Sequence, residues 1–354
     1  MKASKLAAGA MALIVPMTVC FTGCSFGLFN TFSYKYDNGD KYTAGDRDID
    51  ETVTKINIDY LSGGVTVKGT SDDSISIKET TNQSIDADHQ VHSWVDGDTL
   101  YVRYCVSTDM INFNNIEKSL EITIPGEQEL DDFIIDVSSG GINLDGFTTK
   151  SLNSHASSGN MVIDCSASVI DVNSSSGGIS LTQKGNSDSV KIKASSGNMS
   201  LNFEGDVNSL KVDSSSGKIA IEQTGNIGDA DIRSSSGGVN AKMGTVNSLS
   251  VNVSSGGLVI DADDVKNLYT KASSGRSEIS LRNVPETSEL NCSSGGIDVK
   301  VPGDADVTVH VDISSGDFNY DLPFEKDGKD YVSGNGTADM KIRCSSGNVN
   351  FNKI

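Results

Sequence analysis

The chain has 354 residues, with 28 Lys and Arg against 48 Asp and Glu, for a formal net charge of −20. So acidic a chain argues against nucleic acid as a partner, because phosphate binding needs a basic surface. It suits the solubility of an exterior protein.

In chain order, residues 1–23 read as a lipoprotein signal peptide. Lys2 and Lys5 precede an apolar run from Leu6 through Val19, interrupted by Pro16, and then comes Phe21-Thr22-Gly23-Cys24. A positive start, a short hydrophobic stretch and a small residue before a cysteine describe a secretory signal rather than a spanning helix. Cys24 is the candidate lipidation site, since Cys20 follows Val19, which is too large for a cleavage position. Two or more acyl chains on Cys24 would hold the protein on a membrane. No other segment is long and apolar enough to span one. Residues 24–50 read as a polar tether, with Asn38-Gly39-Asp40 and Ala44-Gly45-Asp46 as its turns.

Residues 51–130 read as an irregular β cap with degenerate first rungs. Val53, Ile56, Ile58 and Tyr60 alternate into Ser62-Gly63-Gly64, followed by Val65 and Val67. Alternation persists in Ile75-Ser76-Ile77, Thr99 to Arg103 and Leu120 to Ile124, but without a fixed period. Longer, non-identical strands suit a cap that protects the first edge of a repeat array.

From 131 to 354 one signature recurs. Ser-Ser-Gly occurs eleven times, its glycines at 140, 159, 177, 197, 217, 237, 256, 275, 295, 316 and 347. All gaps but the last lie between 18 and 21 residues, the mark of stacked units that bury apolar faces only against their neighbours. Around Gly217, for example, Leu210, Val212 and Ser214 alternate before the glycine, and Ile219 and Ile221 after it. The step from Ser214 to Ile219 is odd, so the inward and outward sides exchange at Ser-Ser-Gly and the chain must turn or bulge there. Glycine supplies the positive φ. The next position is mostly Gly or Asn, from which Lys218, Arg276 and Asp317 depart. The predicted fold is an all-β parallel β-solenoid of about 20-residue rungs, a rod roughly 50 Å long at about 4.8 Å per rung.

The last gap carries surplus residues around Pro323 to Ala338, an excursion expected to shield the terminal turn in part; the alternative is that this end pairs with another molecule. Phe351 to Ile354 belong to the final strand, and nothing after them can cover it. Cys292 and Cys344 share a column three before the glycine, but the repeat at Gly316 lies between them. Two rungs are roughly 9–10 Å, too far for a disulfide, so the cysteines are expected to be small buried residues rather than a bridge or a metal site.

No catalytic residue stands out. Eleven serine pairs would have to share four histidines, His89, His92, His155 and His310, and serine catalysis needs a base beside each nucleophile. Small hydroxyl residues that satisfy a tight corner explain the serines better. The column four before the glycine runs Asp136, His155, Asn173, Lys193, Asp213, Arg233, Asn252, Lys271, Asn291, Asp312 and Arg343, a mixed-sign solvated ladder. Asp145, Asp164, Asp261, Asp263 and Asp264 lack the nine-residue period of calcium-binding β-rolls. No cofactor or metal is expected.

Repeats such as Val212-Asp213-Ser214-Ser215-Ser216-Gly217-Lys218-Ile219-Ala220-Ile221, with Lys41-Tyr42-Thr43-Ala44-Gly45-Asp46 near the start, resemble the bacterial putative-adhesin family of cell-envelope proteins, a domain of unknown function. The resemblance covers essentially the whole mature chain. It implies a β-solenoid at the cell surface with an adhesive role, and it supplies no catalytic residues. The expected protein is extracytoplasmic and surface exposed, lipid-anchored to the cell membrane, and binds a glycan or an envelope protein without catalysis. Two alternatives remain open: a structural or stress-signalling envelope component, and a carbohydrate-active enzyme on a β-helix.

Overall fold

The computed structural model describes residues 31–113 and 115–354, so the signal segment and Cys24 lie outside the described residues. The described chain is a β-solenoid, built as the alternation requires. In the rung at Gly217, strand Val207–Ser216 leads into the corner, strand Ile219–Gln223 follows, and Asn226–Ser236 begins the next rung. Equivalent strands pair in parallel and in register, with Leu210 opposite Ala230 and Ile219 opposite Val239. Val212, Ile219 and Ile221 are all within 1% of full burial. Each such aliphatic contributes about 1.5–3 kcal/mol, whereas an exposed cross-rung ion pair contributes about 0–1 kcal/mol, so the inward columns hold the rod together.

All eleven Ser-Ser-Gly glycines have positive φ, 125° at Gly217. A Cβ built at Gly217 would overlap the carbonyl oxygen of Gly197 one rung below, so sterics as well as φ demand glycine. The residue after the glycine has another task. Asn160, Asn198 and Asn348 accept, through Oδ1, the backbone N–H of Gly178, Lys218 and Asp317 on an adjacent rung, at 2.8, 3.0 and 3.1 Å. The paired serines are exposed or half-buried, and their hydroxyls do not satisfy the bend. In two rungs the buried serine before them does: Ser174 and Ser234 donate to the carbonyls of Gly177 and Gly237 at 3.2 and 3.1 Å. The second serine links the rungs through its backbone, Ser236 O accepting from Gly217 N at 3.0 Å.

Two buried columns lie beyond those legible in the alternation. One, six after the glycine, holds Cys165, Gln183, Phe203, Gln223, Met243 and Leu281. The other, ten before it, holds Val207, Ile227, Val246 and Val265 at the second corner.

Both ends depart from sequential stacking. At the C-terminal end, strand Thr287–Ser294 pairs directly with Ala338–Ser346, and Val307–Ile313 lies on the far side of that strand. Likewise Ile297–Val301 pairs with Val349–Lys353, which pairs in turn with Phe318–Tyr320. The rungs therefore stack in the order Gly295, Gly347, Gly316, and two expectations fall. The final strand is not an uncovered edge, since the Gly316 rung covers it. Cys292 and Cys344 are not two rungs apart, since they are register partners on neighbouring strands. The excursion shields the Gly316 rung instead, Asp330–Ser333 pairing antiparallel with Val307–Ile313.

The N-terminal end has the same device. Lys55–Ser62 and Gly64–Thr70 form the degenerate rung and stack on the rung at Gly140. The later strands Thr99–Arg103 and Lys118–Pro125 stack outside them in parallel. Antiparallel strands His92–Asp96 and Ile75–Thr81 close that edge. The tether reading of 24–50 is corrected from residue 31 onward. Thr31–Tyr34 pairs with Thr108–Asn112 and Arg47–Ile49 with Ile75–Thr81, while the Tyr36 hydroxyl donates to Cys105 O at 2.8 Å. Tyr34, Tyr36 and Ile49 join the core because their apolar bodies have buried neighbours to pack on.

Within the cap, Lys118 and Glu79 form an ion pair of 2.8 Å, their side chains 0% and 4% exposed. Lys118 Nζ also donates to the carbonyls of His89 and Tyr104, while Glu79 accepts from the Tyr60 hydroxyl and Val91 N–H. Burial pushes the Lys118 ammonium down and Glu79 opposes it. A buried pair so fully bonded reads as a structural staple of the cap.

Candidate functional site

The four histidines are engaged away from the serine pairs. His89 meets Asp86 at 2.5 Å and His92 contacts Gln90 O at 2.9 Å. His155 faces Asp136 at 3.3 Å, and His310 sits between Asp330 and Asp339 at 2.7 and 3.3 Å. The candidate calcium carboxylates are also spoken for in part: Lys184 pairs with Asp164 at 2.7 Å, and Arg282 reaches Asp261 and Asp263 at 2.6 and 3.2 Å. Among the described residues no group of three His, Cys, Asp or Glu side chains could hold a metal.

The column four before the glycine forms an outward ladder, as the alternation requires. Its pairs include His155 with Asp136, while Arg233 turns sideways to Asp231 at 2.6 Å and Arg343 to Glu289 at 2.5 Å. Its last members stand in the order Asn291, Arg343, Asp312, following the exchanged rungs. At the N-terminal end the ladder continues through Asp59, opposite Asp136, and Arg103, opposite Asp59. Burial pushes the Asp59 carboxyl up to about 6 against the opposing pull of Arg103, and Asp136 adds to the rise.

A more built arrangement lies on the other outward face, near the C-terminal end. Strands Ser277–Leu281, Ile297–Val301 and Val349–Lys353 lie side by side. Residues three after each glycine point outward there as Glu278, Asp298 and Asn350. Asp298 is only 9% exposed. Arg276 Nε hydrogen-bonds to its Oδ2, and Asn350 Nδ2 donates to its Oδ1 at 2.7 Å. Asn319 extends the row, donating to Asn350 Oδ1 at 3.1 Å. Although burial pushes the Asp298 carboxyl up, Arg276 and Asn350 outweigh it and hold the group below the usual carboxylate range. Asp298 is thus a fixed anion. Arg282 and Lys300 stand on the same face, around an open groove of about 610 Å³.

Chemically the groove offers guanidinium and ammonium donors, amides that both donate and accept, and carboxylate acceptors, repeated at the rung spacing of about 4.8 Å. Ionic and amide groups suit recognition of a polar, extended ligand. Asp298 is unmarked in the sequence because its partners, Arg276 and Asn350, come from two other rungs. One signal was present: Arg276 breaks the Gly or Asn preference after the corner, and its side chain spends that departure on Asp298.

No curated protein sequence matches the chain. Among solved structures it is similar to a putative adhesin from Bacteroides fragilis, with 15% identity, coverage of 87% of this chain and 96% of that one, and a TM-score of 0.26. It is also similar to a putative adhesin from Parabacteroides distasonis, at 12% identity, 91% and 100% coverage and a TM-score of 0.28. A putative lipid binding protein from Parabacteroides distasonis gives 13% identity, 88% and 97% coverage and a TM-score of 0.27. The family described as Toastrack DUF4097 matches residues 53–185 and 179–352, which take in the degenerate first rung and all the Ser-Ser-Gly corners. The chain belongs to the Toastrack DUF4097 family.

Proposed function

We propose that this protein is a non-catalytic binding module of the cell surface, anchored by lipid on Cys24, whose outward polar rows hold an extended glycan or an envelope protein. The observation that carries the reading is the row Arg276, Asp298, Asn350 and Asn319 with Lys300 beside it, where charged and amide groups repeat along the rod. Each contact with such an open face is weak. Several rungs acting on one polymer, or several copies on one surface, raise the effective affinity without new chemistry.

Arrays of glycans and of envelope proteins, probed with the wild type and with an Arg276→Ala/Lys300→Ala variant, test it. Binding by the wild type that falls about tenfold or more in the variant is expected, in line with loss of charge-assisted contacts. An array without a ligand, together with unchanged attachment by cells lacking the protein, overturns the adhesive reading. The anchor has its own test: Cys24→Ala should move the protein from the membrane fraction to the soluble fraction, and retention at the membrane would rule out lipid on Cys24.

A further inference from the structure

Four cysteines fall within the described residues, all buried and all free thiols. Two stand apart from the others. Cys165 faces Gln183 across its strand pair, and Cys105 in the cap has its sulfur against Val106 O at 3.5 Å. Cys292 and Cys344 instead occupy one register position on neighbouring parallel strands. Such strands run about 4.8 Å apart, inside the Cα separation that disulfides use. Both side chains point into the core, at 4% and 2% exposure, and both sulfurs lie near corner carbonyls, Cys292 by Gly275 O and Cys344 by Gly295 O and Gly347 O.

This pairing exists only because the rungs at the C-terminal end are exchanged. With sequential stacking the Gly316 rung would separate the two sulfurs, and its own residue in that column is Ile313, which has no thiol. The strand carrying Cys344 is therefore the one inserted between two rungs that precede it in the chain.

We propose that Cys292 and Cys344 are a disulfide-forming pair that locks the inserted C-terminal strand into the solenoid. The oxidant is a disulfide donor, a small molecule or a thiol–disulfide exchange protein. The Cys344 thiolate, while its strand is still free, attacks the donor disulfide, forming a mixed disulfide and releasing one donor thiolate. As Ala338–Ser346 approaches Thr287–Ser294, and before the pair is buried, Cys292 meets that bond. Its thiolate displaces the second donor thiolate and closes the Cys292–Cys344 bond. Two cysteine thiols are oxidised, one donor disulfide is reduced to two thiols, and the two protons end on the donor.

The order of events follows from burial. In the docked state burial raises the Cys292 thiol to about 11, with Cys344 adding to the rise, so little nucleophilic thiolate remains. Exchange belongs to the docking step, and the finished bond is shielded from external thiols. A bond across the insertion closes a long loop and prevents the last strand from leaving the stack, the circumstance in which a crosslink restricts the open ensemble most.

The test is refolding of the full chain from denaturant in a buffer of oxidised and reduced glutathione, then proteolysis without reduction and mass spectrometry. The expected product is a linked peptide pair holding Cys292 and Cys344, two hydrogens lighter than the free peptides, with Cys105 and Cys165 still alkylated on denaturation. Amide exchange across Ala338–Ser346 should then slow about tenfold or more on oxidation, and a Cys292→Ser variant should fold without that change. Cys292 and Cys344 both still alkylatable after refolding, or crosslinks that use any other cysteine instead, would overturn the proposal.

Discussion

At the Gly217 corner a single side-chain atom is too many. The backbone has φ of 125°, and a Cβ there would run into the carbonyl of Gly197, itself the corresponding glycine of the previous rung. Gly217→Val should therefore lower stability by at least about 2–3 kcal/mol, combining strain at a glycine-only conformation with displacement of a neighbouring backbone. Ser216→Ala, at an exposed position on the same corner, should stay within about 0.5 kcal/mol. Denaturant midpoints of the two variants check the pair; equal midpoints would mean that the serine shares the glycine's burden. The need for glycine was legible in its recurrence. The idle serine hydroxyls were not, because a sequence shows which residue recurs and not which of its groups meets a partner.

Strands and ladders set the next scale. Along the ladder Arg103, Asp59, Asp136, His155, the Asp59 carboxyl is pushed up to about 6, above the usual value for an unfolded aspartate, chiefly by burial. The folded chain thus binds this proton more tightly than the unfolded chain does. Its contribution to stability is fully present below the unfolded pKa and is lost as the pH rises through the folded one. Asp59→Asn, which carries no charge at any pH, should gain stability relative to the wild type between about pH 4 and pH 7. Urea midpoints of both proteins across that range read the difference directly, and a difference that does not widen with pH would remove Asp59 as its source. The outward placement of this ladder followed from alternation. Its extension to Asp59 and Arg103 did not, since the cap strands have no fixed period to align.

For the whole molecule, the exchanged rungs make the two ends alike. Each end puts an early- or late-chain rung second from the edge, covers it with a neighbouring rung, and closes the edge with antiparallel strands. Unpaired parallel edges invite pairing with other chains, and this arrangement leaves little of them. Removal of residues 338–354 should therefore loosen more than the segment removed. Val307–Ile313 loses its parallel partner and keeps only Asp330–Ser333, and Phe318–Tyr320 loses the strand it pairs with. Hydrogen exchange should show Phe318–Tyr320 unprotected and Val307–Ile313 less protected in the truncated protein, while Leu258–Ser274 keeps its protection; undiminished protection of Val307–Ile313 would mean that it can dock on Thr287–Ser294 unaided.

The sequence by itself determined the rung. Its period, its inward aliphatic columns and its glycine corners are local, repeated consequences of strand geometry and of the steric demand at one backbone position. Tertiary structure alone decided which rung lies beside which at the ends, because Thr287–Ser294 could accept any strand with the same alternation. That choice brings Asn350 to Asp298 and Cys344 to Cys292. It also turns residues 31–50 from an apparent tether into part of the cap. Spacing along a chain fixes neighbours only while stacking is sequential; where a later strand inserts, backbone pairing and core packing choose the neighbour, and the polar groove and the cysteine pair follow from that choice.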